Sequence, residues 1–539
     1  MRLNYWDYMG PGHIGVLKCV QAFDRTMSLI HCPLGDDYFN VMSTMLTRDP
    51  SFTPVCSSIV DRHVLAAGSR SKVVSTIVRK DREDTPDLIV VTPTCTSSIL
   101  QEDIHNYVER AQAQTDAEVI YAEVSHYRHS EAQAQDMMLH QITRRSLMRH
   151  GSNQVEKTPR PSVNLIGVVD LGFHNRDDAR EFRRLLAGLG LEVNLVYPRS
   201  ARPDATPLLH AWVNVAPYRE LGFLTVEYLR SAWGMPYVDV APIGLGGIRE
   251  FVLRLREALN QHVQSQLQPH DPVAPLPPRT TLASTDHFDA LLGPQWKDYL
   301  AYGDQTLSQA GWFARSIDCQ NLLGKRAVVF ADATHAASIT RVLAGELGIK
   351  VVCAGTYSKH DAMWFRDRVA GYAAEVLVTH DHTEVGHTVS RLKPDAIFGS
   401  QMERHIGKRL AIPCGVISAP CHIQDHPLGF RPFIGYEGAN QVLDLVYNTF
   451  RLGMEDHMLE MFGGHDTESQ SPEGGEATTA TGSDVGWAPD AEEELRRAVP
   501  GFVRGRARAF TDAYAASHGH HVVTVDVLYD AMEAHGRGG

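Results

Sequence analysis

The segment Asp87-Leu-Ile-Val-Val-Thr92 is an unbroken apolar run, and the small polar residues Pro-Thr-Cys-Thr-Ser-Ser98 follow it directly. Strands buried on both faces of a sheet read as continuous β-branched runs, whereas half-exposed strands alternate apolar and polar residues. The segment therefore predicts a buried parallel strand whose carboxyl end opens into a polar loop. Six further runs have the same form, at residues 162–167, 212–215, 326–330, 350–353, 375–378 and 415–418.

Helix-length amphipathic stretches separate these runs. Strands that alternate with helices predict an α/β fold built from doubly wound units with parallel sheets. A chain of 539 residues is too long for one hydrophobic core, so we expect roughly three or four domains.

Composition marks the expected boundaries. Residues 151–161 form a polar connector, 268–279 are rich in proline, and 465–490 contain almost no apolar residues. These shifts predict α/β domains at 1–160, 161–280 and 281–464, a flexible linker at 465–486 and a helical module at 487–539. Later segments could complete parts of the first domain.

Bulk properties exclude several classes of protein. The formal charge of −13 argues against a nucleic-acid platform, which needs a basic face. There is neither an apolar run of roughly 18 residues nor a basic and then apolar leader, which predicts a soluble intracellular protein without a signal peptide. Eight scattered cysteines, none at a two-residue spacing, indicate a reducing compartment rather than a disulfide scaffold.

Polar side chains follow several of the predicted strands. In doubly wound sheets, ligands bind at the carboxyl ends of the strands. The loops in question are residues 92–98, 171–175, 331–335, 399–405 and 418–422. The turn His31-Cys-Pro-Leu-Gly-Asp36-Asp37 holds a carboxylate behind a Pro and a Gly. It resembles a metal or redox site with too few ligands, so any others must come from elsewhere.

Nucleotide motifs are missing. The sequence Gly324-Lys325-Arg326 lacks the upstream glycine and the following Ser or Thr of a phosphate loop, so the chain should not hydrolyse ATP itself. Residues 244–247 weakly resemble a nucleotide loop, and a tight turn before a helix at Ile248 is favoured.

Three candidate functional sites each allow two interpretations. Asp318 follows aromatic and apolar residues that could desolvate it and make it a proton donor, but an ordinary cap or turn role is favoured from the residues alone. His422 reads first as a structural or surface histidine. The basic C-terminal residues are interpreted as solvated helix faces, with docking of a partner or an anionic substrate as the alternative; they are Arg496, Arg497, Arg504, Arg506 and Arg508.

Taken together, these segments resemble the B-subunit family of light-independent (dark-operative) protochlorophyllide reductases, relatives of the nitrogenase molybdenum–iron protein. The resemblance covers nearly the whole chain. Its motifs lie at residues 5–15, 33–40, 60–63, 92–98, 171–174, 316–318, 332–335, 401–405, 417–422, 435–438 and 502–505.

The resemblance implies three doubly wound, nitrogenase-component-like domains and a small C-terminal helical module. It implies ATP-dependent reduction of the C17–C18 double bond of protochlorophyllide to chlorophyllide. The implied partners are an N-type subunit, in a tetramer of two N and two B subunits, and a homodimeric iron protein that binds ATP. A [4Fe–4S] cluster is implied between the N and B subunits.

The resemblance also implies site residues. Asp36 matches the cluster ligand that the B-type chain contributes beside three cysteines of the N-type chain, and Asp37 is its rival. Asp318 matches the proton donor, which reverses the preference for a cap. His422, Gly453 and Met454 match substrate-lining positions, the alternative for the last two being a helix packed by Leu452 and Met454.

Two rival functions remain. One is a subunit of the related complex that reduces chlorophyllide, and the other is a scaffold that assembles a metallocluster without turnover. Asp36 and Asp318 together favour the protochlorophyllide enzyme. We expect a bacterial cytoplasm or a plastid stroma, and an isolated chain that folds but holds no stable cluster.

Overall fold

The computed structural model describes residues 8–35, 55–125, 128–152, 154–169, 172–267, 291–421, 429–462, 486–498 and 504–537. They belong to two compact units, Met1–Gly463 and Gly464–Gly539. Asp36, Asp37 and His422 lie outside the described residues.

The described residues of the first unit form three parallel sheets that follow one another along the chain. The first has the strand order β2-β1-β3-β4, the second β6-β5-β7-β8 and the third β11-β10-β9-β12-β13. The strands are β1 Thr26–Cys32, β2 Val55–Ile59, β3 Leu88–Pro93, β4 Glu118–Tyr121, β5 Ser162–Val168, β6 Glu192–Pro198, β7 Val213–Val215, β8 Tyr237–Val238, β9 Arg326–Ala331, β10 Lys350–Thr356, β11 Val376–Val378, β12 Ala396–Gly399 and β13 Cys414–Val416.

Helices connect these strands and confirm the predicted α/β class. All seven apolar runs overlap a strand. The helices are α1 Gly12–Gln21, α2 Arg62–Ala67, α3 Arg70–Asp84, α4 Cys95–Leu100, α5 Ile104–Gln112, α6 Glu131–His150, α7 Asn175–Gly188, α8 Phe223–Trp233, α9 Gly244–Leu267, α10 Gln295–Tyr302, α11 Ala310–Phe313, α12 Ile317–Gln320, α13 Ala333–Arg341, α14 Ala362–Val369, α15 His382–Leu392, α16 Gln401–Leu410 and α17 Gly435–Phe462. Short 3₁₀ turns lie at Thr206–His210 and Lys359–Asp361, and π turns at Gly303–Leu307 and Val342–Glu346.

Continuous buried clusters join neighbouring sheets. One unites the second and third sheets through side chains such as Leu165, Phe251 and Val329. Another unites the first and second sheets and includes Val90 and Ile166. Because each of these two clusters packs side chains of two neighbouring sheets together, each sheet supports the position of the next.

Buried carboxylates cap helix N-termini across these boundaries. Asp136 accepts hydrogen bonds from the amides of Gly222 (2.7 Å) and Leu224 (3.2 Å) at the start of α8. Such carboxylates satisfy the unpaired amides of a first turn and interact favourably with its positive end. Each cap therefore fixes a helix of one sheet to an element of another.

The segment at residues 244–247 differs from expectation. The helix α9 begins at Gly244 itself, four residues before the expected start at Ile248. The Glu346 carboxylate accepts from the amides of Leu245 (3.1 Å) and Gly246 (2.9 Å). A carboxylate of this chain thus occupies the amides that a nucleotide loop would offer to phosphate.

The second unit is small and mainly helical. Its helices are α18 Pro489–Ala498, α19 Arg504–Ser517 and α20 Val525–Arg537, and two short strands absent from the sequence prediction, β14 Gly486–Trp487 and β15 Val522–Val523, pair in parallel. Its core contains Ala491, Leu495 and Leu528. Across the described parts of both units, no helix is long and apolar enough to cross a membrane.

Candidate functional site

The turn expected to carry Asp36 leaves the carboxyl end of the first sheet. Strand β1 ends at Cys32, and the described chain continues to Gly35, whose φ of +103° suits glycine. The hydroxyl of Thr94, in the loop after β3, donates to the carbonyl of His31 at 2.6 Å. The two neighbouring strands are therefore tied together at the base of the turn.

Behind this turn lies a buried hydrogen bond between side chains. Nε2 of His31 lies 2.9 Å from a carboxylate oxygen of Glu102. Burial lowers the pKa of His31, and the Glu102 charge opposes that change only in part. His31 is accordingly neutral near pH 7, and the pair is a hydrogen bond rather than an ion pair.

Four large apolar side chains are exposed at the same edge, and we call them the apolar rim. They follow β1, β2 and β3, whose carboxyl ends share one edge because the strands are parallel. Exposed apolar groups that cluster on a folded surface mark interaction sites. The rim consists of Leu34 (79% exposed), Leu65 (56%), Ile99 (69%) and Leu100 (40%).

Asp318 lies in the first turn of α12 and is exposed. The cap of this helix is Ser316, whose hydroxyl accepts from the amide of Cys319 at 3.1 Å. Trp312 and Ile317 are themselves 61% and 76% exposed. The expected desolvation of Asp318 is thus not supplied by its described neighbours, and the favoured cap role belongs to Ser316.

The segment before Asp318 packs on the helix that carries Gly453 and Met454. The ring of Phe313 meets the ring of Tyr447 edge-on, with centroids 5.8 Å apart. Gly453 lies six residues after Tyr447 in α17, or about 9 Å along the helix axis. The fold therefore places Phe313, five residues before the proposed proton donor, in contact with the helix that carries the proposed pigment-lining backbone.

A polar cluster, here called the junction, gathers loops from the second and third sheets. Its members are Asp178, His335 and Ser418, which are buried, and Glu220 and Asp332, which are half-buried. Nδ1 of His335 lies 2.8 Å from Oδ2 of Asp332, and the Ser418 hydroxyl donates to that oxygen at 2.7 Å. Glu220 accepts from the amide (2.6 Å) and the hydroxyl (2.7 Å) of Thr334.

Charge and burial perturb every titratable member of the junction. Burial alone would lower the pKa of His335, but the charge and hydrogen bond of Asp332, with Asp178 and Glu220, raise it to about 9. Burial, then the charges of Asp332 and Asp361, raise the pKa of Glu220 to about 8. Burial raises the pKa of Asp178 to about 6, against the hydrogen bond from Tyr218. Protonated His335 thus balances the charge of Asp332 beside it.

Sequence reasoning finds part of this cluster. Asp332, His335 and Ser418 stand in loops that the apolar runs point to, whereas Asp178 and Glu220 have no local signal. Nε2 of His335 has no hydrogen-bond partner among the described residues. Among all the residues that the structure describes, no group of three or more His, Cys, Asp or Glu side chains could hold a metal ion.

In the C-terminal unit, the basic residues engage their own module. Arg508 bonds to Glu492 at 3.0 Å and stacks over the Trp487 ring, 4.9 Å from its centroid. Arg496 lies 3.7 Å from the same Glu492. These contacts favour the solvated helix face over a site for an anionic substrate at Arg496 and Arg508.

Two family models match this chain. Residues 11–451 match the family described as Nitrogenase component 1 type Oxidoreductase. Residues 487–531 match the family described as Proto-chlorophyllide reductase 57 kD subunit. The two matches correspond to the two compact units.

Curated relatives match over nearly the full length. The B subunit of light-independent protochlorophyllide reductase from Nephroselmis olivacea is 52% identical over 542 residues, covering 99% of this chain and 96% of the relative. The protein of the same name from Zygnema circumcarinatum is 52% identical over 541 residues, covering 99% of each.

A solved structure shares the fold. The structure titled "Nitrogenase Cp1 at pH 6.5" superposes with a TM-score of 0.63 at 15% identity and covers 89% of this chain and 97% of that one. At this identity the likeness concerns the fold alone. On the family models and the full-length relatives, the chain is an oxidoreductase that belongs to the nitrogenase component 1 type family and, within it, to the B-subunit family of light-independent protochlorophyllide reductases.

Proposed function

We propose that this chain is the B-type catalytic subunit that reduces the C17–C18 double bond of protochlorophyllide to chlorophyllide in (bacterio)chlorophyll synthesis. The observation that carries the proposal is 52% identity along 99% of the chain to relatives named for this reductase. The fold of a nitrogenase component and the additional match at residues 487–531 support it.

The subunit works with partners in this proposal. An N-type subunit joins it in a heterotetramer of two N and two B subunits, and a homodimeric iron protein that draws on ferredoxin binds the ATP. The absence of a phosphate-loop motif in the sequence supports this division of labour. The apolar rim offers a surface for the N-type subunit at the edge where the Asp36 turn begins.

Asp36 would contribute one oxygen ligand to a [4Fe–4S] cluster, beside three cysteines of the N-type subunit. When bound, the cluster supplies one-electron transfer, and an oxygen ligand in place of a thiolate alters its potential. Two features support this chain's part in the site. The turn leaves the carboxyl edge of a parallel sheet, where ligands gather, and Gly35 permits a sharp change of direction.

Asp318 would hold the proton for one of the two reduced carbons. Reduction adds two electrons and two protons across the double bond, the second proton coming from the propionate of the pigment. Covering the exposed carboxyl with the macrocycle or a neighbouring subunit would favour its protonated, donating form. Gly453, Met454 and His422 would line the pigment, since a glycine in α17 allows close approach of a flat ring.

The decisive experiment co-purifies this chain with an N-type partner and follows protochlorophyllide absorbance in darkness with the iron protein and ATP. We expect loss of protochlorophyllide, gain of chlorophyllide, and an iron–sulfur signal that depends on the partner. Turnover of chlorophyllide instead would identify the related reductase, and a cluster without pigment turnover would identify a scaffold. Cell fractionation would test the proposed cytoplasmic or stromal location.

A further inference from the structure

The connection between β13 and α17 is held at its start by hydrogen bonds to the half-buried carboxylate of Asp332. The Ser418 hydroxyl donates to Oδ2 of Asp332 at 2.7 Å, and the Asp332 amide donates back to that hydroxyl at 3.2 Å. The Tyr357 hydroxyl donates to the carbonyl of Ala419 at 2.9 Å. Ser418 is fully buried, so these bonds are shielded from water.

The far end of the same connection is held by a second carboxylate, which is buried. One oxygen of Asp178 accepts from the amides of Phe433 (2.7 Å) and Ile434 (3.3 Å), the two residues before α17 begins. Nearby, the Arg431 amide donates to Asp177 at 2.9 Å. Asp178 therefore sets where α17 starts and the direction in which it leaves.

Side-chain contacts link Asp332, at the start of the connection, to Asp178, at its end. His335 pairs with Asp332, and its ring meets the Phe433 ring edge-on at 5.3 Å. The imidazole also stacks with Tyr218 at 6.3 Å, and the Tyr218 hydroxyl donates to Asp178 at 2.6 Å. A chain of direct contacts thus runs from Ser418 to Asp178.

We propose that Asp332 and Asp178, joined through His335, act as one two-ended clamp that positions α17 for the pigment. This inference rests on the proposed function, in which Gly453 and Met454 on α17 line protochlorophyllide. The clamp residues are positioning residues, since they act on the pigment through α17. Displacing a lining group by a fraction of a helical turn is enough to weaken binding of a rigid macrocycle.

The clamp differs from two independent stabilising contacts because its ends are coupled. If the two ends are coupled, removing the Ser418 hydroxyl also weakens the hydrogen bonds of the Phe433 and Ile434 amides. The effect would pass through Asp332 and His335. If the contacts are independent, the effect stays at Ser418. Hydrogen exchange at the two amides separates these cases.

The test uses the assembled complex with its N-type partner, without the iron protein. For Ser418→Ala we expect about tenfold faster exchange at Phe433 and Ile434, and about tenfold weaker protochlorophyllide binding in a fluorescence titration, because the Ser418 hydroxyl bonds to Asp332 both as donor and as acceptor. Ser418→Thr, which keeps the hydroxyl, should restore both quantities. Ser146→Ala is the matched control, because Ser146 is buried and bonds to the Ala205 amide (2.9 Å) in another part of the fold.

Asp332→Asn provides a second variant that keeps a cap for α13, because Asn caps helices as well as Asp does. It removes the negative charge nearest to His335 and should reproduce the effects of Ser418→Ala. Unchanged exchange at Phe433 and Ile434 in both variants would overturn the clamp. Faster exchange with wild-type pigment affinity would overturn its positioning role, whereas a wild-type complex that binds no protochlorophyllide would refute the proposed function itself.

Discussion

Buried His335 and half-buried Asp332 form an ion pair within one helical turn, with Nδ1 and Oδ2 2.8 Å apart. Asp332 also caps the helix that carries His335, accepting from the His335 amide at 2.8 Å. The capping carboxylate therefore serves the backbone and the imidazole of the same residue. Since the pKa of His335 is raised to about 9, the pair is ionised at neutral pH.

The first prediction concerns the pH dependence of stability. The pKa of His335 is higher in the folded state (about 9) than its ordinary value of 6.5. Its stabilising effect is thus full below about 6.5 and is lost as pH rises through about 9. The difference amounts to at most about 3 kcal/mol.

We expect His335→Gln to lower the unfolding midpoint at the acidic end of this window and to have a smaller effect at the alkaline end. Asp332, Asp178, Glu220 and Tyr218 face the imidazole and remain in the variant. Burial and neighbouring charges raise the pKa of Glu220 to about 8, so it also weakens the fold as pH rises. A midpoint difference between wild type and variant that does not change with pH would refute the prediction.

The second prediction concerns Asp318. Asp318→Asn removes the proton but keeps the size of the side chain, so cluster content and pigment affinity should persist while dark turnover falls by roughly 10²- to 10⁴-fold. Asp367→Asn changes another exposed aspartate, on α14, and should leave turnover unchanged. Normal turnover in Asp318→Asn would remove Asp318 from the mechanism.

Strands β3 and β1 differ in how clearly the sequence predicts them. Strand β3 is evident because its apolar run is unbroken, whereas β1 is hidden by Ser28 and His31. Both polar side chains are buried and bonded, Ser28 to Thr92 at 3.2 Å and His31 to Glu102 at 2.9 Å. Their partners come from other segments, so a local pattern cannot show that these polar positions belong in a strand.

The sequence likewise predicts only some of the residues of the candidate site. The apolar runs lead to Asp332 and Ser418, but Asp178 and Glu220 reach the junction from other parts of the chain. Asp318 shows a further limit. Burial depends on everything that surrounds a side chain, and the aromatic and apolar residues before Asp318 in the sequence leave it exposed in the fold.

The third prediction separates Asp36 from Asp37. Asp36→Ala should abolish the partner-dependent iron–sulfur signal, because in the proposed function the cluster would lose the one ligand that this chain contributes. Asp37→Ala, one residue further along the same turn, is the matched control and should keep the signal. Iron content and the visible absorbance of the co-purified complex measure both, and the opposite result would assign the ligand to Asp37.

The fourth prediction tests the apolar rim. Ile99→Glu places a charge on a side chain that is 69% exposed, and we expect it to weaken association with the N-type subunit by roughly 10- to 100-fold. Leu253→Glu changes a similarly exposed residue (58%) on α9 and should have no effect. Co-purification yield and mass photometry report the association. Equal loss in both variants would show a general effect of the charge.

The fifth prediction concerns Gly15, where α1 and α6 approach each other closely. A Cβ at Gly15 would lie 2.0 Å from the carbonyl oxygen of Glu131 and 2.9 Å from the amide nitrogen of Gln135. Both are backbone atoms, so no side-chain rotation can relieve the contact and the helices must separate. Alanine favours a helix over glycine by about 1 kcal/mol, which opposes but does not offset this overpacking.

The separation would also reach the second sheet, because α6 carries Asp136, the cap of α8. We therefore expect Gly15→Ala to destabilise the first unit by about 1 to 3 kcal/mol, seen as a lower thermal midpoint. Gly429→Ala is the control, since a Cβ there meets no heavy atom of the described residues within 4 Å. Equal midpoints for the two variants would mean that α1 and α6 can move apart at little cost.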